Sequence, residues 1–257
     1  MPTTMTGAEE RRRLALSTAD IAIRAAEGGD RFGGYASVFN SRTAIGNPLR
    51  WGFYEEIAPG AFSKTLAESD ARMLIDHDSY YVVSRMSAGT LGLSEDDKGL
   101  LVDSALDGEL SYVRDLKANL RNGNITGMSF GFQVVKDDWN TEDLEVAGSD
   151  PVAVDVRVIR EVRLIEVSAV TFPAYPETEA ELKAVARALD HRGDFAAVEA
   201  RAKFRPELLD LVHIDREPGE STRGIEEPAE PAVSTQPTGL PLSMRMNALA
   251  ARYGLQR

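Results

Sequence analysis

Apolar residues recur at every second position in several separate stretches of this chain. That period limits its fold more than any other feature. In "VAVDVRVI" (152–159), "VRLIEVSAVTF" (162–172) and "NITGMSFGFQVV" (124–135), apolar residues alternate with polar or small ones. This is the spacing of strands with one buried face. "ADIAIRAAEGGDRFGGYASVFN" (19–40) holds two such runs around a Gly-Gly-Asp turn, which predicts a hairpin. "TLGLSEDDKGLLVDSAL" (90–106) repeats the pattern around a charged turn that ends in Gly99. One segment differs. In "GELSYVRDLKANLRNG", Leu110, Val113, Leu116 and Leu120 recur at helical spacing, Arg114, Lys117 and Arg121 fall on the exposed face, and Gly123 is a C-terminal stop. Residues 19–176 therefore predict a mixed but mainly β domain, a barrel or sandwich with at least one helix. An acidic loop is expected over 137–151.

The flanks have another character. Residues 1–18 form a polar leader, with three arginines and no long apolar run after them, unlike a signal peptide. "ETEAELKAVARALDHRGDFAAVEARAKFRPELLDLV" (177–212) is alanine-rich and helical, broken near "DHRGD". It predicts a helical extension over 181–213. Residues 214–240 hold Pro218, Pro228, Pro231 and Pro237 and form a linker. In 241–257, Leu242, Met246, Leu249 and Tyr253 share a face beside Arg245, Arg252 and Arg257. A basic helix on a tether suits docking to a partner, and a frayed tail is the alternative.

Composition narrows the chemistry. Across 257 residues there is no cysteine, so thiol catalysis, thiolate metal sites and disulfides are excluded. A net charge of −12 argues against nucleic-acid binding through a general basic surface. The apolar runs fall short of a membrane span. Neither a metal-ligand cluster nor a phosphate-loop or dinucleotide fingerprint is present, so no cofactor is expected.

Gly127–Gly131 matches G-x-S-x-G, the pattern of a hydrolase serine on a sharp strand-to-helix turn. Phe130, Phe132 and Val134 continue a strand period past Ser129, so the turn-to-helix context is missing. As a strand, the segment puts Met128, Phe130, Phe132 and Val134 on a core face and Ser129 between two glycines on the other. Ser129 is then either a nucleophile that a peptide backbone can approach or a small residue in a glycine-rich, packed strand. His77, between Asp76 and Asp78, ends an apolar strand in "ARMLIDHDSYY" and is either structural or functional. His191 and His213 have the look of surface residues. Glu166 sits among apolar neighbours, with Val162, Leu164, Ser168 and Val170 expected on its face. Its carboxylate needs a partner, a histidine or an arginine.

Six segments in order carry a resemblance: "GYASVFN", "EEIAPGAFSKTL", "LIDHD", "RMSAGTLGLSEDDKGLLVDSAL", "LKANLRNGNITGMSFGF" and "REVRLIEVSAVTFPAYP". Together they resemble the prohead (capsid maturation) protease family of tailed bacteriophages, which is similar in fold to the herpesvirus capsid proteases. The resemblance covers residues 19–180. It implies a closed or partly open β-barrel ringed by helices, a helical and disordered C-terminal tail, and a serine endopeptidase. The family's histidine falls on His77, its nucleophile on Ser129 and its third member, an acid, on Glu166. The herpesvirus relatives use a second histidine in that place, but neither His191 nor His213 lies in the matching segments. The family often has glycine where this chain has Ser84. The implied partners are the major capsid protein, its scaffold and the protease itself as substrate, without nucleic acid or membrane, and a homo-oligomer is left open. The implied location is the assembling prohead in the host bacterial cytoplasm.

Two other functions compete. An α/β-hydrolase esterase would use Ser129 with an acid and then His191 or His213. A non-enzymatic capsid-assembly or scaffold protein could use the same fold without chemistry.

Overall fold

Two antiparallel strands of 18 and 19 residues, Gly127–Leu144 and Val152–Val170, form the spine of the fold. The computed structural model describes residues 9–15, 22–26, 29–148, 150–171 and 179–212, all within the unit Met1–Asp215. In chain order the first strands are β1 (Glu10–Ala15), β2 (Ala22–Ala26), β3 (Gly29–Val38), β4 (Thr43–Ile45) and β5 (Phe53–Ile57). Helix α1 (Ser63–Glu68) is followed by β6 (Arg72–Ile75), β7 (Ser84–Arg85), β8 (Leu91–Glu95) and β9 (Gly99–Ala105). Helix α2 (Ser111–Arg121) leads to the spine strands, β10 (Gly127–Leu144) and β11 (Val152–Val170). The last described elements are α3 (Glu179–Arg192), α4 (Phe195–Ala202) and α5 (Leu208–Leu211). The expected linker at 214–240 and basic helix at 241–257 lie outside the described residues.

The first sheet runs β1-β10-β11-β5-β4, with β6 added to β11 and β7 to β6. Strand β11 is long enough to take two parallel partners end to end. Val156–Ile159 pair with β5, and Glu166–Ala169 pair with β6. The second sheet, β2-β3-β9-β8, is antiparallel throughout. Both expected hairpins form here, β2–β3 and β8–β9. At the second, a Cβ on Gly99 would lie 2.0 Å from the Ser37 carbonyl oxygen, so only glycine lets β9 start so close to β3.

The main core fills the space between the sheets with Phe32, Phe62, Met73, Leu100, Val113, Leu116, Met128, Phe130 and Phe132, among others. Val113 and Leu116 are the buried face of α2, as their spacing predicts. Lys117 is less exposed than its position implies, because it pairs with Asp30 at 2.5 Å. Phe62 meets the edge of Phe130 at a centroid separation of 5.5 Å. Each such buried aromatic ring is worth about 1.5–3 kcal/mol of transfer free energy.

The structure corrects four expectations. The barrel is not closed, for the two sheets are open and their edge strands do not join into one ring. Closure needs strands of matched length and stagger. Here β10 and β11 run far past the five- to ten-residue strands of the second sheet. Their far halves build a second core instead, in which Trp51, Phe53 and Trp139 meet Leu182, Val185, Leu189, Val198 and Leu208. Helices α3–α5 share that core, so they are built into the domain and do not ring a barrel. The expected acidic loop is a strand through Leu144, because its carboxylates have cross-strand partners: Asp137 takes Arg157 at 2.6 Å and Asp138 takes Arg160 at 2.8 Å. The two runs 152–159 and 162–172 belong to one strand, β11. Finally, part of the expected polar leader, Glu10–Ala15, is strand β1, laid on the edge of β10.

Candidate active site

The parallel pairing of β6 with β11 brings residues 89 positions apart into contact. Strand β6 ends in a tight turn in which the Asp78 N–H donates to the Ile75 carbonyl at 2.9 Å. Its central residues, Asp76 and His77, have φ of 48° and 63°. Such left-handed conformations cost about 1–3 kcal/mol each in non-glycine residues and persist where the surroundings hold them. The Asp76 carboxylate is held by the Thr171 N–H at 2.9 Å and the Thr171 hydroxyl at 2.8 Å. The His77 N–H donates to Ser168 Oγ at 3.2 Å. The turn is therefore pinned to the end of β11 on both sides.

The His77 ring points onto that strand. Its Nδ1 lies 2.7 Å from Glu166 Oε1, and both side chains are almost fully buried, 3% and 6% exposed. The Ser168 hydroxyl donates to the other oxygen, Oε2, at 2.5 Å. An ionised carboxylate only accepts, so Nδ1 carries the proton and Nε2 keeps a free lone pair. Nε2 is buried and has no hydrogen-bond partner among the described residues. The partner of Glu166 is thus a histidine and a serine rather than an arginine.

A bulge decides where Glu166 points. Gly131 pairs with Glu166, but the next residue, Phe132, pairs with Leu164, which leaves Ile165 unmatched. An extra residue shifts the phase of the alternation. Val162 and Leu164 face the main core before the bulge, and Val167 and Ala169 face it after. Glu166 and Ser168 are thereby turned to the opposite face. The expected single face of Val162, Leu164, Glu166 and Ser168 does not exist, because period two was carried across the bulge.

Ser129 stands on β10 directly opposite Ser168, and Gly131 opposite Glu166. Opposed residues share a face, so Ser129 lies on the face of the His77–Glu166–Ser168 group. Met128, Phe130, Phe132 and Val134 fill the core on the other side, as expected. Gly131 has a specific duty. A Cβ there would stand 2.5 Å from Glu166 Oε1, so the missing side chain is the space the carboxylate occupies. Ser129 itself is fully buried, and its hydroxyl donates to the Arg12 carbonyl of β1 at 2.8 Å.

Strand β1 is anchored on its other face by charges. Arg12 meets Glu10 at 2.6 Å and Glu55 at 2.5 Å, and the fully buried Arg157 reaches Glu10 at 3.3 Å, Glu55 at 3.2 Å and Asp137 at 2.6 Å. Burial alone would raise the Glu10 carboxyl, but the Arg12 and Arg157 guanidiniums outweigh it and hold the group below its ordinary range.

A model of the caudovirus prohead serine protease family matches residues 18–194 of this chain. That span is most of the sequence and includes β6, β10 and β11 with the whole cluster. The chain belongs to the caudovirus prohead serine protease family. It is 34% identical over 146 residues to the prohead protease of Enterobacteria phage HK97, over 56% of this chain and 55% of that protein. It thus spans about half the length of that relative. Among solved structures, that of the bacteriophage T4 capsid assembly protease matches with a TM-score of 0.34 and 12% identity, covering 63% of this chain and 98% of that one.

Family membership and geometry remove the esterase. Ser129 lies inside a strand that continues to Leu144, with no helix after it. His191 sits 3.6 Å from Asp137, half-exposed in α3, away from the serine's face. His213 lies outside the described residues. The glycine often found at Ser84 is not needed here, since the Ser84 hydroxyl bonds Ser104 at 2.7 Å within the core. Sequence reasoning missed Ser168, the reach of Gly131 and strand β1. The i, i+2 spacing of Glu166 and Ser168 was the available signal for the first.

Proposed function

We propose that the chain is a serine endopeptidase that processes the capsid scaffold, or the scaffolding part of the major capsid protein, and itself during prohead maturation. The observation that carries this reading is the buried His77–Glu166 pair, whose Nε2 no described residue claims, on the same face as Ser129 of the neighbouring strand. Ser129 is the nucleophile, His77 the base and Glu166 the acid that orients it. Ser129 Oγ attacks a peptide carbonyl carbon while Nε2 takes its proton, and Glu166 stabilises the imidazolium. Backbone N–H groups stabilise the oxyanion. The intermediate collapses, the C–N bond breaks and the proton passes to the leaving amine. Water then hydrolyses the acyl-enzyme by the same route. Ser168 fills the second oxygen of Glu166 and so fixes its rotation.

The reading extends to a capsid-protease-like fold shared with the herpesvirus enzymes, and to action inside assembling proheads in the bacterial cytoplasm. One observation favours a non-enzymatic assembly protein instead: Ser129 is sealed from solvent with its hydroxyl bound to Arg12. Intact mass after expression of wild type and Ser129→Ala separates the two. Self-truncation is expected in the first alone. Identical masses, together with unchanged processing of a co-expressed capsid protein, would refute the protease.

A further inference from the structure

We propose that Asp76 is a positioning residue: its carboxylate, clamped to Thr171, holds the His77 backbone in the left-handed conformation that aims the imidazole at Glu166. This rests on His77 being the base that serves Ser129. The turn Ile75–Asp78 has two consecutive residues of positive φ, Asp76 at 48° and His77 at 63°. Turns of that kind usually read Asn-Gly or Asp-Gly, because glycine takes the second place at no steric cost. Here the second place holds a histidine, whose Cβ makes the same φ unfavourable. Such a residue stays put only where its surroundings hold it.

Strand β11 supplies the hold. The Asp76 N–H donates to the Ala169 carbonyl at 2.9 Å, which extends the β6–β11 ladder by one residue. The His77 N–H reaches Ser168 Oγ at 3.2 Å, but that hydroxyl is shared with Glu166. The Asp76 carboxylate adds two bonds past the end of the ladder, from the Thr171 N–H at 2.9 Å and the Thr171 hydroxyl at 2.8 Å. Its two oxygens are thus spent on Thr171, one on each donor. Asp76 therefore acts through the backbone and not through its charge on the ring. The ring follows the backbone, since the allowed rotamers depend on φ and ψ. Glu166 cannot follow the ring, because Ser168 holds one oxygen and the other fills the space over Gly131. A relaxed turn would therefore part Nδ1 from Oε1, now 2.7 Å away. Asp76 is exposed, so its replacement disturbs no core.

The test uses the full chain, a fluorophosphonate probe and mass spectrometry of Ser129. Asp76→Gly removes both clamp bonds without adding strain, since glycine accepts positive φ. Labelling should slow by about 10²-fold, the cost of misplacing a catalytic group by about 1 Å. Asp76→Asn removes the charge but keeps the clamp, with Oδ1 accepting the N–H and the amide donating to the hydroxyl. Asparagine also tolerates the left-handed region, so labelling should stay within about threefold of wild type. Thr171→Val breaks one clamp bond and should fall between the two. Combined with Asp76→Gly it should cost nothing more, because both changes act on one clamp. A wild-type rate in Asp76→Gly, or an equal fall in Asp76→Asn, would overturn the proposal. The second arm reads the ring itself, by nitrogen-15 NMR of the histidines in the Ser129→Ala background. The hydrogen-bonded Nδ1 proton of His77, assigned by its loss in Glu166→Ala, should vanish in Asp76→Gly and persist in Asp76→Asn. Its persistence in Asp76→Gly would show that the ring is held without the clamp and overturn the proposal. If wild type labels no faster than Ser129→Ala, the nucleophile reading fails, and the Nδ1 resonance still decides whether Asp76 holds the ring.

Discussion

Replacing Gly131 with alanine tests the proposed site through a residue that has no side chain of its own to take part in the chemistry. The added Cβ would stand 2.5 Å from Glu166 Oε1 and 3.2 Å from Glu9 Oε1, where ordinary contact begins near 3.4 Å. The Glu166 oxygen must therefore retreat by about 0.9 Å, the difference between 3.4 and 2.5 Å. Its bond to His77 Nδ1, now 2.7 Å, would stretch toward about 3.6 Å if the retreat runs along it, too long for a hydrogen bond. A misplacement of that size costs about 10²-fold in rate, or about 2.7 kcal/mol of barrier. Complete loss of the acid's orienting role costs about 10⁴-fold in a comparable triad. The expected fall lies between these two. Stability should fall by about 1–3 kcal/mol, because the buried Glu166 oxygen loses its partner, a cost that the better strand propensity of alanine only partly offsets. The assay is the rate of Ser129 labelling by a fluorophosphonate, beside a thermal melt. Shortening the acid with Glu166→Asp in the alanine background gives the carboxylate room to withdraw and should recover part of the rate, whereas the two changes would otherwise add. A wild-type rate in Gly131→Ala, or a double variant no faster than the single, would refute the assigned duty of Gly131.

Arg157→Met should lower stability by about 3–5 kcal/mol, because three buried carboxylates lose their shared partner; the urea midpoint measures it, and a midpoint near wild type would show that the cluster relaxes. Asp155 ties Arg192 of α3 and Arg201 of α4 to β11 at 2.7 and 2.6 Å. Burial opposes its charge, but the bonds from Arg201 and Arg192 outweigh it and hold the carboxyl below its ordinary 3.8. A depressed value means the stabilisation is complete above pH 3.8 and is lost as pH falls through the lower, folded-state value. Asp155→Asn should therefore melt lower than wild type at pH 7, with the gap closing in acid below the ordinary value. Parallel melting curves across pH decide it, and equal melts at pH 7 would sink the prediction.

Much of the fold follows from local pattern. The β2–β3 and β8–β9 hairpins, helix α2 and the core face of β10 all come from periodicity and turn residues, which neighbouring residues set by themselves. His77, Ser129 and Glu166 could be singled out one at a time, and the family resemblance assembled them in order. What local pattern could not supply depends on a partner strand. Whether 152–159 and 162–172 are one strand or two is settled by β5 and β6 pairing along the same ladder. The acidic stretch after Asp137 becomes strand because Arg157 and Arg160 stand across from it. Glu166 leaves the core face only because Ile165 is skipped in the pairing with β10, and a register exists only between two chains of hydrogen bonds. Strand β1 was hidden for the same reason. Its charges look like a solvated leader until Glu55, Asp137 and Arg157, far along the sequence, close around them and bring its backbone over Ser129.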